Sequence, residues 1–210
     1  MDDSRKQHDT TRRGRDLLAF DRVDRIGLVL VLALAGLVSA TAWVLVPVLT
    51  WATGGDLPVP FFSEVTVPAL DAAGIRYGEA DYPIRVADAT TGQWLLHLVP
   101  GLGFTAVVVG CAALLLPVVR DLGRGDPFTP ANVRRLRAIG LLLLVAWPVL
   151  TLVESAAAAA VLGQLDLGDL GTRASLTLPL GVMLAGLVVG LVAEAFAAGS
   201  RLRDDVDGLV

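Results

Sequence analysis

The chain has 210 residues, 54% of them hydrophobic, a mean hydropathy of +0.66 and a formal charge of −4, which places it outside the range of soluble globular domains. A soluble helical bundle keeps charges on the outer face of each helix, yet residues 26–55 contain no charged side chain. The lone Cys111 excludes an intrachain disulfide and lies in an apolar stretch, where it reads as a small packing residue.

Residues 1–25 form a tail with seven basic and six acidic side chains. Because the carboxylates cancel most of the positive charge, it reads as a solvated segment rather than a polybasic lipid anchor. Residues 26–50 follow as the first spanning helix, since a bilayer core needs about 20 apolar residues. The charged stretch before it is long for a signal peptide, and the apolar run exceeds the usual ~7–15 residues of a cleaved h-region. The first helix is therefore expected to be retained. Its small pairs Ala35/Ser39 and Gly36/Ala40 permit close helix approach.

Residues 51–93 form the longest polar connection. Ser63–Val67, Ile75–Tyr77 and Ile84–Val86 carry strand-like patterns, while Pro58, Pro60 and Pro68 point to edge or irregular structure in the first part. A small antiparallel β element is expected. The acidity of this loop either attracts a cation or basic ligand or reflects a solvated loop with a weak charge excess. The second span, 94–119, contains His97. The connection 120–137 carries a turn signal, Gly125-Asp126-Pro127-Phe128. Thr129 then stands as a helix N-cap and Pro130 at the first helical position.

The third span, 138–161, contains Pro148 and Glu154. The proline predicts a kink, with the freed carbonyl taken up by a neighbour or by Ser155. A second outer loop, 162–175, precedes the fourth span, 176–198. Here Gly186-Leu-Val-Val-Gly190 has the GxxxG spacing, which serves either packing within the bundle or homo-oligomerisation. Residues 199–210 form a short tail. Together these elements predict an all-α membrane protein: a four-transmembrane-helix bundle with a small extracytoplasmic β-containing loop between helices 1 and 2.

Basic residues are distributed unevenly. The two tails and the central connection hold 14 of them, and the two remaining loops hold only Arg76, Arg85 and Arg173. Cytoplasmic loops collect Lys and Arg, so both termini are expected in the cytoplasm of a plasma-membrane protein. Trp51 and Trp94 then fall at the outer helix ends, where aromatic belts form.

Ionisable residues inside a span invite a functional hypothesis. Glu154 lies ~24 Å along its helix from the cytoplasmic entry and Glu194 ~27 Å along its helix from the outer one, at 1.5 Å per residue. The two carboxylates therefore sit near opposite faces and form no dyad. His97 is closest in depth to Glu154, so the two form a candidate charge-assisted pair, the alternative being Glu154 reaching water or a backbone amide. Glu194 is expected to pair with Arg134, Arg135 or Arg137. No phosphate loop, zinc-helix, CxxC or nucleophile-elbow motif is present. Two histidines, His8 and His97, are too few and too far apart for a metal site. The arginines are not interleaved with aromatics as on a nucleic-acid surface. No enzymatic activity, cofactor or direct nucleic-acid binding is expected.

The segment Gly125-Asp126-Pro127-Phe128-Thr129-Pro130-Ala131-Asn132-Val133-Arg134-Arg135-Leu136-Arg137-Ala138-Ile139-Gly140 resembles the hallmark of a bacterial membrane family, domain of unknown function 2975. The segment from Glu194 through Phe196, Gly199, Arg201 and Arg203 to Asp204, Asp205 and Asp207 is similar to its closing stretch. The resemblance runs from about Trp94 to residue 210, and the Ala-, Arg- and Val-rich composition resembles actinobacterial proteins. It implies a four-helix membrane protein with no catalytic residues to carry over, and a small helix-turn-helix regulator as partner. The two segments are expected to meet at the inner mouth of the bundle, with the acidic tail residues opposite the arginines. The expected role is an accessory, regulatory or sensory one with a cytoplasmic partner; a small transporter or permeation subunit is the alternative.

Overall fold

The computed structural model describes residues 22–63, 80–165 and 178–207. Four long helices run through them, each apolar and long enough to cross a membrane. Helix α1 consists of Arg22–Ala40, a π-helical turn at Thr41–Leu45, and Val46–Ala52. Helix α2 is Thr91–Leu122. Helix α3 is Pro130–Leu162, built from Pro130–Leu141, a π turn at Leu142–Ala146 and Trp147–Leu162. Helix α4 is Leu180–Asp207. They pack in chain order, α1 on α2, α2 on α3 and α3 on α4, with the last seam the most extensive. Leu30, Leu37, Leu184 and Leu191 are each more than 60% exposed. In water that would forfeit hydrophobic free energy at every one of them. In lipid it costs nothing, because acyl chains are as apolar as leucine. The protein is a multi-pass membrane protein.

The prolines Pro47 of α1 and Pro148 of α3 coincide with breaks in the regular α-helical ladder. Each follows a π turn by two residues: Thr41–Leu45 precedes Pro47 and Leu142–Ala146 precedes Pro148. Proline has no N–H for the carbonyl one turn back. The ladder widens just ahead of it, so that Val46 N–H donates to Thr41 O and Trp147 N–H to Leu142 O. A local π adjustment thus absorbs the proline, and Ser155, almost two turns beyond Pro148, is not placed for that task.

Between α1 and α2 lies a two-stranded antiparallel hairpin, β1 (Leu57–Ser63) and β2 (Ala80–Val86). Ile84–Val86 lies in β2 as expected. The first strand, however, falls on the proline-rich stretch and ends at Ser63, whereas the rest of the expected Ser63–Val67 segment and all of Ile75–Tyr77 lie outside the described residues. In a two-stranded sheet each strand keeps one unpaired edge, so proline is tolerated on alternate positions. Pro58 faces Arg85 and Pro60 faces Pro83, two positions of the same parity. The three prolines thus all sit where an N–H would point away from the partner.

The hairpin is docked by a core resembling that of a soluble domain. Leu57, Val59 and Val86 of the strands meet Trp94 of α2 and Val161 and Leu162 of α3, all buried. Trp94 is 2% exposed and stacks on Trp51 of α1 at 6.1 Å between ring centroids. It is thus the centre of this core rather than a belt residue facing the membrane interface. Beside it, Thr90 and Gln93 form a reciprocal capping box at the start of α2. The Gln93 Nε2 also donates to Gln164 Oε1 past the end of α3, at 3.1 Å.

Candidate functional site

The two ends of the bundle hold the polar residues singled out above. At the end away from the hairpin, α2 closes through Gly125, whose φ of +79° favours glycine. Gly125 N–H donates to Leu122 O and Asp126 N–H to Asp121 O, the paired bonds of a Schellman motif. The turn thus belongs to the helix end and falls slightly earlier than the Gly125–Phe128 stretch suggested. Helix α3 then starts as expected, with the Thr129 hydroxyl accepting from Asn132 N–H and Pro130 at the first position.

Asn132 is fully buried. Its Nδ2 donates to Pro127 O at 3.1 Å, and its Oδ1 accepts from Arg135 Nη1 at 2.7 Å. The same Nη1 reaches Asp121 Oδ2 at 3.2 Å. One amide therefore fastens the connection to α3 and orients an arginine onto the end of α2. Asn132→Ala is expected to lower the thermal midpoint in detergent by an amount equivalent to about 1–3 kcal/mol, because Pro127 O and Arg135 lose a buried partner. An unchanged midpoint would mean that the connection is held by its apolar contacts alone.

Of the three arginines weighed for Glu194, Arg137 makes the contact: Nε and Nη2 lie 2.9 and 2.8 Å from Glu194 Oε1. Both side chains are about half exposed, so the pair contributes about 0–1 kcal/mol and sets orientation more than stability. Phe128 lies against Phe196 at 5.2 Å and over the Cα of Gly199. Farther along the same seam, Gly186 and Gly190 back onto Gly140 of α3. The GxxxG face is thus taken up, at Gly186, by packing within the chain. Arg134, Arg137 and Arg201, all exposed, surround a groove of about 370 Å³ between α3 and α4.

At the hairpin end, a cavity of about 280 Å³ lies between α1, α2, α3 and β1. His97 and Glu154 both line it, with Trp43, Pro100 and Gly101 below and Val59 and Pro60 of β1 on one side. Among the described residues no ion pair or hydrogen bond joins the imidazole to the carboxylate. His97 instead meets Trp94 edge-on at 6.3 Å. Gly101 lets α1 come close, since a Cβ there would collide with Trp43 O. One turn deeper the rings of Trp43, Phe104 and Trp147 contact one another in series, at 4.6 and 5.1 Å, across α1, α2 and α3.

Asp121, Trp43 and the Phe128–Phe196 contact carry no signal in the sequence that singles them out. Thr90-Thr-Gly-Gln93 did carry a capping-box signature, and Gln93 was legible from it. Among the described residues no group of three metal-ligating side chains converges.

No curated protein and no solved structure matches this chain. The family model described as "Protein of unknown function (DUF2975)" matches residues 71–210. The match begins earlier than Trp94, so β2 and the last part of the loop before it fall within the family's region. It also takes in the whole of the arginine-bearing end, where Phe128 meets Phe196 and Arg137 meets Glu194. With two thirds of its length matched, the chain belongs to the DUF2975 family.

Proposed function

We propose that this chain is a non-enzymatic regulatory protein of the plasma membrane, with the arginine-bearing end in the cytoplasm as a docking surface for a soluble partner. The observation that carries the reading is the convergence of the two family-typical segments into one fixed, basic surface. Asn132 anchors the connection, Arg137–Glu194 bridges α3 to α4, Phe128–Phe196 bridges the connection to α4, and Arg134 and Arg201 project around the groove. Such a surface complements an acidic protein face, steering its approach and setting its register. The resemblance suggests a small helix-turn-helix regulator. The uneven distribution of basic residues supports the orientation. The ring series Trp43–Phe104–Trp147 beneath the hairpin-end cavity weighs against a continuous polar route through the bundle.

Site-specific photo-cross-linking in cells tests this reading. A cross-linker at positions 134 and 201 is expected to capture the same soluble polypeptide, and one at the lipid-facing position 184 is expected not to. Charge reversal of Arg137 should weaken both adducts. Adducts with lipid alone, or none, would remove the docking role.

A further inference from the structure

We propose that the hairpin-end cavity is a binding site for a small organic ammonium cation, with the Glu154 carboxylate as its counter-ion. Glu154 is half-buried at membrane depth, and among the described residues no basic side chain neutralises it. Residues 26–52 of α1, 91–119 of α2 and 138–162 of α3 contain no Lys or Arg. Arg85, the basic residue of the described hairpin, is exposed and outside the lining. An ionised carboxylate taken from water is costly unless it is paired. It therefore keeps a proton or recruits a cation from outside. A proton needs no space, whereas here the carboxylate opens onto about 280 Å³.

The lining selects the kind of cation. Metal ions of the hard type take six or more oxygen ligands, and this cavity offers one carboxylate and one imidazole among Ala, Val, Pro and Gly. Alkylated ammonium ions gain where metal ions lose: their methyl groups bury apolar surface, and their charge is attracted to aromatic faces. Trp43 supplies the aromatic part of the wall. The volume lies near the lower limit of ~300–1,000 Å³ for small-molecule pockets, so the occupant is about the size of a tetramethylammonium or a short alkylamine. Pro47, Val59, Pro60 and Val161 close in the sides. The site stands on the chemistry of this cavity and does not depend on the docking role of the opposite end.

Purified full-length protein in detergent or nanodiscs, titrated with tetramethylammonium chloride against sodium chloride at equal ionic strength, provides the test. The expected result is a saturable rise in thermal midpoint with tetramethylammonium only. Glu154→Gln, which keeps the side-chain shape, should weaken the apparent affinity about tenfold or more, because the charge-assisted contact is lost. Glu194→Gln, at the other end, should leave it unchanged. If Glu154→Gln proves poorly folded, intrinsic fluorescence of the wild type, followed during the same titration and competed by butylammonium, reads binding in its place. No saturable response in the wild type, or an equal response in folded Glu154→Gln, would overturn the site.

Discussion

Trp94→Ala is expected to detach the hairpin from the helix ends while leaving the four spans in place. The indole is 2% exposed and lies among Leu57, Val59, Val86, Val161 and Leu162, with Trp51 stacked on it. Removing a large buried aromatic costs about 3–5 kcal/mol, from lost transfer free energy and from the cavity left behind. Among the described residues this core is what joins the hairpin to the helices, and a two-stranded hairpin is marginal by itself in water. The loss should therefore appear as protease sensitivity between α1 and α2 at temperatures where the wild type resists. Circular dichroism of the helices should change little, because lipid and the backbone ladders sustain them. If the hairpin stays protected, the strands are held by something other than this core. Trp51→Ala should act in the same direction and more weakly, since Trp51 is only partly buried.

The second large effect lies at the opposite seam. A Cβ at Gly186 would stand 2.9 Å from both Gly140 O and Leu144 N, and one at Gly140 would stand 3.0 Å from Gly186 O. These neighbours are backbone atoms, so no rotamer change relieves the clash. Gly186→Leu is expected to force α3 and α4 apart, with a penalty at or above the usual ~1–3 kcal/mol of overpacking. The distance between spin labels on the two helices should lengthen and the thermal midpoint should fall. At Gly190 a Cβ meets nothing within 4 Å, so Gly190→Ala should be neutral in the same assays. That asymmetry separates packing within one chain from a symmetric GxxxG dimer, in which both glycines would matter. Equal sensitivity of the two positions, read alongside oligomeric state, would favour the dimer.

The parts of the fold fixed by local chemistry were legible in the amino-acid sequence. Four apolar runs required four helices, and Thr129-Pro130 marked the start of α3. The depth of Glu194 limited its partner to three arginines, of which Arg137 proved to be the one. Features that depend on three-dimensional neighbours were not legible. A proline-rich segment reads as irregular until its partner strand is known, and only the parity of Pro58, Pro60 and Pro83 explains why it pairs. Trp94 at a helix end reads as an interface anchor until a hairpin is seen to cover it. Asp121 looked like any acidic residue at a helix end, because its link to Arg135 depends on how the connection folds back. Shared depth did place His97 and Glu154 in one cavity. Depth fixes only one coordinate, and the contact between them that the reading allowed is not made.

The widened turns at Thr41–Leu45 and Leu142–Ala146 have a geometric effect beyond accommodating proline. Each inserts about one residue into a spiral of 3.6 per turn, rotating all that follows by roughly 100° relative to an uninterrupted helix. Halves of α1 and α3 on either side are in that sense aimed independently. Substitutions can thus remodel the lining around Glu154 without re-indexing the glycine seam or the arginines on the far side of the bilayer.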